Sequence, residues 1–116
     1  MANRYEIVWE HDAFFFRLRM ADGEVVLRGL GSPSKIMVQN EILHLRNALR
    51  DPSHLIAHES DNGERFIVVK DRDRSVLARS KRVNGGAAMR ELVGELLGAA
   101  HAPIIDLAKQ ARTAVR

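Results

Sequence analysis

The chain has 116 residues, 46% of them hydrophobic and 28% charged, a length that suits one domain and a balance too apolar for a disordered chain. Without cysteine it can form no disulfide, thiolate metal site or cysteine nucleophile, and it shows no adaptation to an oxidising compartment. Its net charge is +3, its first residues carry Arg4, Glu6 and Glu10, and no run approaches the ~20 apolar residues of a membrane span, so the expectation is a cytoplasmic protein with no export signal and no membrane anchor.

In chain order, Tyr5, Ile7 and Trp9 alternate, then Phe14, Phe16, Leu18 and Met20. This is the period of half-buried strands whose apolar side chains face a common core. Asp12 marks a turn after the first run and Asp22-Gly23 a turn after the second, and Val25 to Arg28 forms a third strand. Ser32 followed by Pro33 reads as a helix N-cap with proline at the first helical position. Val38, Ile42, Leu45 and Leu49 share one face of that helix, which Asp51-Pro52 ends.

The pattern then recurs at an offset of 51 residues. Phe16 to Arg19 lie over Ile67 to Lys70, Val25-Val26 over Val76-Leu77, and Arg28 over Arg79, while the helical face recurs as Met89, Val93, Leu96 and Ala100. Asp61-Asn62-Gly63 and the charged Asp71 to Arg74 stretch supply the turns, and Asn84 stands where it could cap the second helix. The Gly85-Gly86 start of that helix is weak, because each glycine costs up to about 1 kcal/mol relative to alanine. Two such units predict an α+β fold within a single domain, 1–116. It is a duplicated three-strand-plus-helix repeat forming an antiparallel sheet with helices on one face, repeat one being 4–51 and repeat two 55–101. Each unit alone would leave a sheet edge and a helix face exposed, so the two are expected to share a core. Residues 102–116 lie outside the repeat. Ile104, Leu107, Ala108, Ala111 and Val115 fall on one helical face and Lys109, Arg112 and Arg116 suit a helix C-terminus, which predicts a C-terminal helix packed on its own domain or on a second chain as a homodimer.

The stretches Phe14-Phe15-Phe16-Arg17-Leu18-Arg19, Asp22-Gly23-Glu24-Val25-Val26-Leu27 and Ser34-Lys35, with Gly63 to Lys70, Val76-Leu77-Ala78 and Ser80 in the second unit, resemble the YegP-like family of small bacterial proteins of unknown function. The likeness lies in alternating phenylalanine, a basic residue ending the second strand, an Asn/Asp-Gly-Glu turn and a serine after the third strand. Gly29 stands in place of that serine in the first unit, and neither unit has the tyrosine that usually follows it. The resemblance implies the duplicated fold, with single-copy members pairing as dimers, and supplies no catalytic residues.

No constellation points to an enzyme, and none implies a cofactor or metal. His54 and His58, with Glu59 beside them, are too few for zinc and lie in a segment that reads as the start of a strand. There is no Gly-x-Ser-x-Gly elbow, and the pairs Glu6/Glu10 and Glu91/Glu95 read as solvated surface acids. Basic charge is the one feature that leans toward a partner: Arg65, Lys70, Arg72, Arg74, Arg79, Lys81, Arg82 and Arg90 stand against only Asp71 and Asp73 between positions 65 and 90. If Phe14, Phe16 and Leu18 face the helices, period two places Phe15, Arg17 and Arg19, with Phe66 and Lys70, on the opposite sheet face. The leading expectation is a non-catalytic binding or interaction module built from two tandem repeats. The alternative is sequence-tolerant nucleic-acid binding through Phe15, Arg17, Arg19, Phe66 and Lys70, supported by Arg72, Arg74, Arg79, Lys81 and Arg82, with bases stacking on rings and cations following the backbone. Against it stands cover of those rings by the tail helix or a partner subunit.

Overall fold

The first two alternating runs form a hairpin. Strand β1 (Arg4–Glu10) pairs antiparallel with β2 (Ala13–Arg19), and the two residues between them, His11 and Asp12, both have positive φ, 52° and 62°. That geometry matches the right-handed twist of the strands it joins. The computed structural model describes residues 2–108. The chain continues through β3 (Val25–Gly29), α1 (Lys35–Ala48), a 3-10 turn at Pro52–His54, β4 (Leu55–Glu59), β5 (Arg65–Lys70), β6 (Val76–Ser80), α2 (Gly86–Gly98) and β7 (Ile104–Asp106).

All seven strands belong to one sheet in the order β4-β5-β6-β3-β2-β1-β7. Every neighbouring pair is antiparallel except β1 with β7. At the centre β3 meets β6 with Arg28 opposite Arg79. The ladders on either side of that pair have corresponding registers: Arg17↔Arg28, Leu18↔Leu27 and Arg19↔Val25 on one side, Val68↔Arg79, Val69↔Ala78 and Lys70↔Val76 on the other. Each contains a register shift before its last pair, between Leu18 and Arg19 and between Val69 and Lys70. Such a bulge leaves an extra residue on one strand and sharpens the local twist.

The core is one continuous cluster. Tyr5, Ile7, Phe16, Leu18, Ile67 and Val69 from the sheet meet Val38, Ile42 and Leu45 of α1 and Leu92 and Leu96 of α2. Burial of each large side chain contributes about 1.5–3 kcal/mol. Both helices thus draw on one sheet face and leave the other to the alternate side chains. Trp9, expected in that core, sits at its rim, 37% exposed, with its ring edge-on to Phe14 at 4.6 Å.

Three local expectations are corrected. The cap of α1 is Ser34, whose hydroxyl accepts from the Met37 N–H at 3.3 Å. Ser32 belongs instead to the sheet, its N–H and C=O both bonded to Phe14 at 2.9 and 2.7 Å. Asn84 does not cap α2: the cap position is Gly85, at a φ of 87° that favours glycine, and no side chain bonds there. The helix expected over 102–116 does not start after Pro103. Ile104–Asp106 is strand β7, parallel to β1, held by Tyr5 N–H to Pro103 O (2.8 Å) and Leu107 N–H to Ile7 O (2.9 Å). The free outer edge of β1 offers those backbone groups, and pairing satisfies them while Ile104 packs against the core. Residues 109–116 of that expected helix lie outside the described residues.

Candidate functional site on the open sheet face

The strand registers place Arg4, Glu6, Val8 and Glu10 of β1 on the face away from the helices. With them lie Phe15, Arg17 and Arg19 of β2, Arg28 of β3, Arg79 of β6, Phe66, Val68 and Lys70 of β5, and Ile56 and His58 of β4. One row runs across most of the sheet: Ile56, Val68, Arg79, Arg28, Arg17 and Glu6 stand opposite one another in succession.

At the β1–β2 end this face is closed electrostatically. Glu6 is buried, 4% exposed, and its carboxylate accepts from Arg17 Nε at 2.7 Å, Arg19 Nε at 3.0 Å and Arg4 Nε at 3.0 Å. Burial alone would raise its pKa, but the hydrogen bonds from Arg17, Arg19 and Arg4, with the Arg17 charge, outweigh it and hold the group at about 2. Arg19 also donates to Gly23 O at 2.6 Å, and Arg17 lies 3.7 Å from Glu10. Glu6 is therefore no solvated surface acid, and Arg17 and Arg19 are partners of an internal carboxylate before they are partners of anything else. Phe15 is half-buried; a side chain on Gly31 would begin 2.5 Å from its ring, so the loop before α1 lies directly against it.

At the β4–β5 end the same face is open. His58 stacks on Phe66 with ring centroids 5.5 Å apart and planes 17° from parallel. Ile56 is 37% exposed beside them. Lys70 closes β5 and, with Ser53, His54, Ile56, Asp71, Arg72 and Arg74, lines an open cleft of about 570 Å³. Arg72 and Arg74 are exposed in the β5–β6 turn, where Arg74 has a φ of 70°. Between the two ends, Arg28 and Arg79 are exposed and neither makes an ion pair among the described residues.

The remaining candidates fall elsewhere. Lys81 is bonded to Glu24 at 2.7 Å, which raises its pKa, and Arg82 lies 3.8 Å from Glu64 near the β4–β5 turn. The ten candidates thus divide: Phe66, Lys70, Arg72, Arg74 and Arg79 share the open part of the face or its margin, Arg17, Arg19, Lys81 and Arg82 lie against acids, and Phe15 lies against the loop before α1. Arg28, Ile56 and His58 were not among them. Arg28 carried a readable signal, because it lies over Arg79 at the 51-residue offset of the sequence and faces Arg17 once the hairpin register is known. The described residues contain no group of three or more His, Asp or Glu placed to hold a metal. No helix among them is long and apolar enough to cross a membrane.

Neither a family model nor a curated protein matches the chain. Two solution structures do. One is yegP from E. coli, a protein of unknown function, with a TM-score of 0.84 and 17% identity over 92% of this chain and 94% of that one. The other is a UPF0339 protein from Shewanella oneidensis, with a TM-score of 0.85 and 19% identity over 92% of each chain. At these identities the likeness is one of architecture, and it spans nearly all of the molecule: the chain has the fold of the YegP-like proteins.

Proposed function

We propose that the chain is a non-catalytic binding module of two tandem repeats, 4–51 and 55–101, whose open sheet face takes an anionic ligand at Arg28 and Arg79. The duplication is supported by the matching registers and bulges on either side of the β3–β6 pair, and by the bridges Phe14↔Ser32 and Arg65↔Val83, themselves 51 residues apart. Arg28 and Arg79 are then the same position of the two repeats, meeting at the centre of the sheet.

One observation carries the ligand class: these two exposed arginines stand directly opposite each other without an acid between them. Like charges opposite one another in a sheet are destabilising, and an anion bridging the two guanidinium forks relieves that repulsion with charge-assisted hydrogen bonds. The His58–Phe66 stack on the same face favours single-stranded nucleic acid as that anion, since rings accept bases while arginines follow phosphate.

Fluorescence anisotropy of labelled single-stranded RNA, single-stranded DNA and duplex DNA, at about 50 and 200 mM salt, tests the reading. Binding to the single strands that weakens steeply with salt is expected. No binding of any of the three at the lower salt rejects the nucleic-acid form. An enzymatic activity abolished by one substitution on this face rejects the non-catalytic form.

A further inference from the structure

We propose that the outer edge of β4 is a homodimer interface, two copies pairing β4 antiparallel about Ala57 so that the sheet continues from one chain into the next. β1 and β4 are the outer strands of the two β-hairpins, yet only β1 is covered, by β7; among the described residues nothing pairs with the other side of β4. The direction of its backbone groups follows from the end of the hairpin. Ser60 N–H bonds to Glu64 O at 2.7 Å, and facing pairs in an antiparallel ladder alternate between bonded and non-bonded. His58 and Ile56 therefore turn their amides toward β5, and Leu55, Ala57 and Glu59 turn theirs outward.

One of these outward groups is already used: the Leu55 N–H bonds to Pro52 O. The corresponding bond at β1 is the one by which Pro103 starts β7, from Tyr5 N–H to Pro103 O, so a parallel strand cannot be added to β4 in the same way. What remains is Leu55 O and both groups of Ala57 and of Glu59; four of these five are self-complementary in the antiparallel sense, and Glu59 O is left to water. Ala57 of each copy exchanges two bonds with its equivalent, and Leu55 O of each accepts from Glu59 of the other. Across that pairing Ile56 faces His58 and Leu55 faces Glu59, with no like charges opposite.

Two further features fit a second copy as the occupant. β4 carries no Lys, Arg, Pro or bulge, which commonly keep an exposed edge from pairing, and its one carboxylate, Glu59, falls opposite Leu55 in this arrangement. The antiparallel arrangement also brings the acidic end of one strand, Glu59 with Asp61 beyond it, to the open cleft of the other, where Lys70, Arg72 and Arg74, with His54, outnumber the one acid, Asp71. A five-residue edge buries little surface, so the association is weak and depends on concentration.

Sedimentation of the full chain from micromolar to millimolar concentration, run with amide hydrogen exchange, tests the proposal. The mass is expected to rise from monomer toward dimer, less so at high salt, while the Ala57 and Glu59 amides gain protection with concentration. Ala57→Pro, which deletes an outward N–H that the monomer does not use, should hold the mass at monomer with an unchanged circular dichroism spectrum. A monomer at every concentration would overturn the interface. So would a dimer in which the two amides stay unprotected, or protection of those amides that does not vary with concentration.

Discussion

The two β-hairpins of the sheet fill matching positions in opposite ways. In the first, the Phe16 ring occupies the space above β3 so completely that a Cβ on Gly29 would begin 2.2 Å from it. In the second, Ile67 stands where Phe16 does, and the position of Gly29 is Ser80, whose hydroxyl accepts from the Ile67 N–H at 2.7 Å. On the other face, Glu6 of the first hairpin is buried under Arg4, Arg17 and Arg19. Its place in the second hairpin is taken by the exposed Ile56, facing Val68. A ring stands over a glycine in the first hairpin and a branched aliphatic over a serine in the second, so each residue of a pair suits the size of its partner. The first hairpin also uses its arginines internally while the second leaves its rings and cations available.

The largest expected effects are the same in both hairpins. Leu18→Ala and Ile67→Ala, fully buried positions, should each cost roughly 2–5 kcal/mol in chemical denaturation. A small cost at either would mean that its strand face is inverted. Gly29→Ser alone should cost about 3 kcal/mol, the upper part of the overpacking range. Combined with Phe16→Ile it should recover at least about 1 kcal/mol of that loss in a double-mutant cycle. Additive costs would break the pairing argument.

Glu6→Gln sharpens the contrast on the open face. It should cost about 2 kcal/mol at neutral pH, less than the loss on breaking a fully buried ion pair because the arginines keep contact with water. Between pH 4.5, the ordinary value for this side chain, and about 2, the unfolded chain takes up the proton that folded Glu6 refuses. Wild-type stability should therefore fall as pH drops through that window, and the Glu6→Gln variant should lose this part of the slope. Identical acid titrations of the two proteins would reject the Glu6 cluster. At the small end, Arg72→Ala, in an exposed turn, should shift stability by less than about 0.5 kcal/mol.

Much of the fold was legible because its period-two and helical patterns are strong. Phe14, Phe16 and Leu18 do face the helices, and Val38, Ile42 and Leu45 do line α1. The tail misled because Ile104, Leu107 and Ala108 satisfy a helical spacing, yet the unpaired edge of β1 stabilises Ile104–Asp106 as a strand, and periodicity does not register a distant edge. The face carrying Phe15, Arg17 and Arg19 followed from parity. The role of Glu6 did not, because it depends on a hairpin register, set by the two-residue His11-Asp12 turn, that aligns Glu6 with Arg17. Gly29 looked like a departure from a family pattern, and its reason became visible only with the Phe16 ring in place.

The most direct test compares the two regions for binding. Single-stranded RNA anisotropy is measured at low salt for the wild type, for Arg28→Ala with Arg79→Ala, and for Arg17→Ala with Arg19→Ala, each variant first shown to be folded by circular dichroism. The first pair of substitutions should abolish binding and the second should leave most of it. Binding that survives loss of Arg28 and Arg79 but disappears with Arg17 and Arg19 would contradict that expectation.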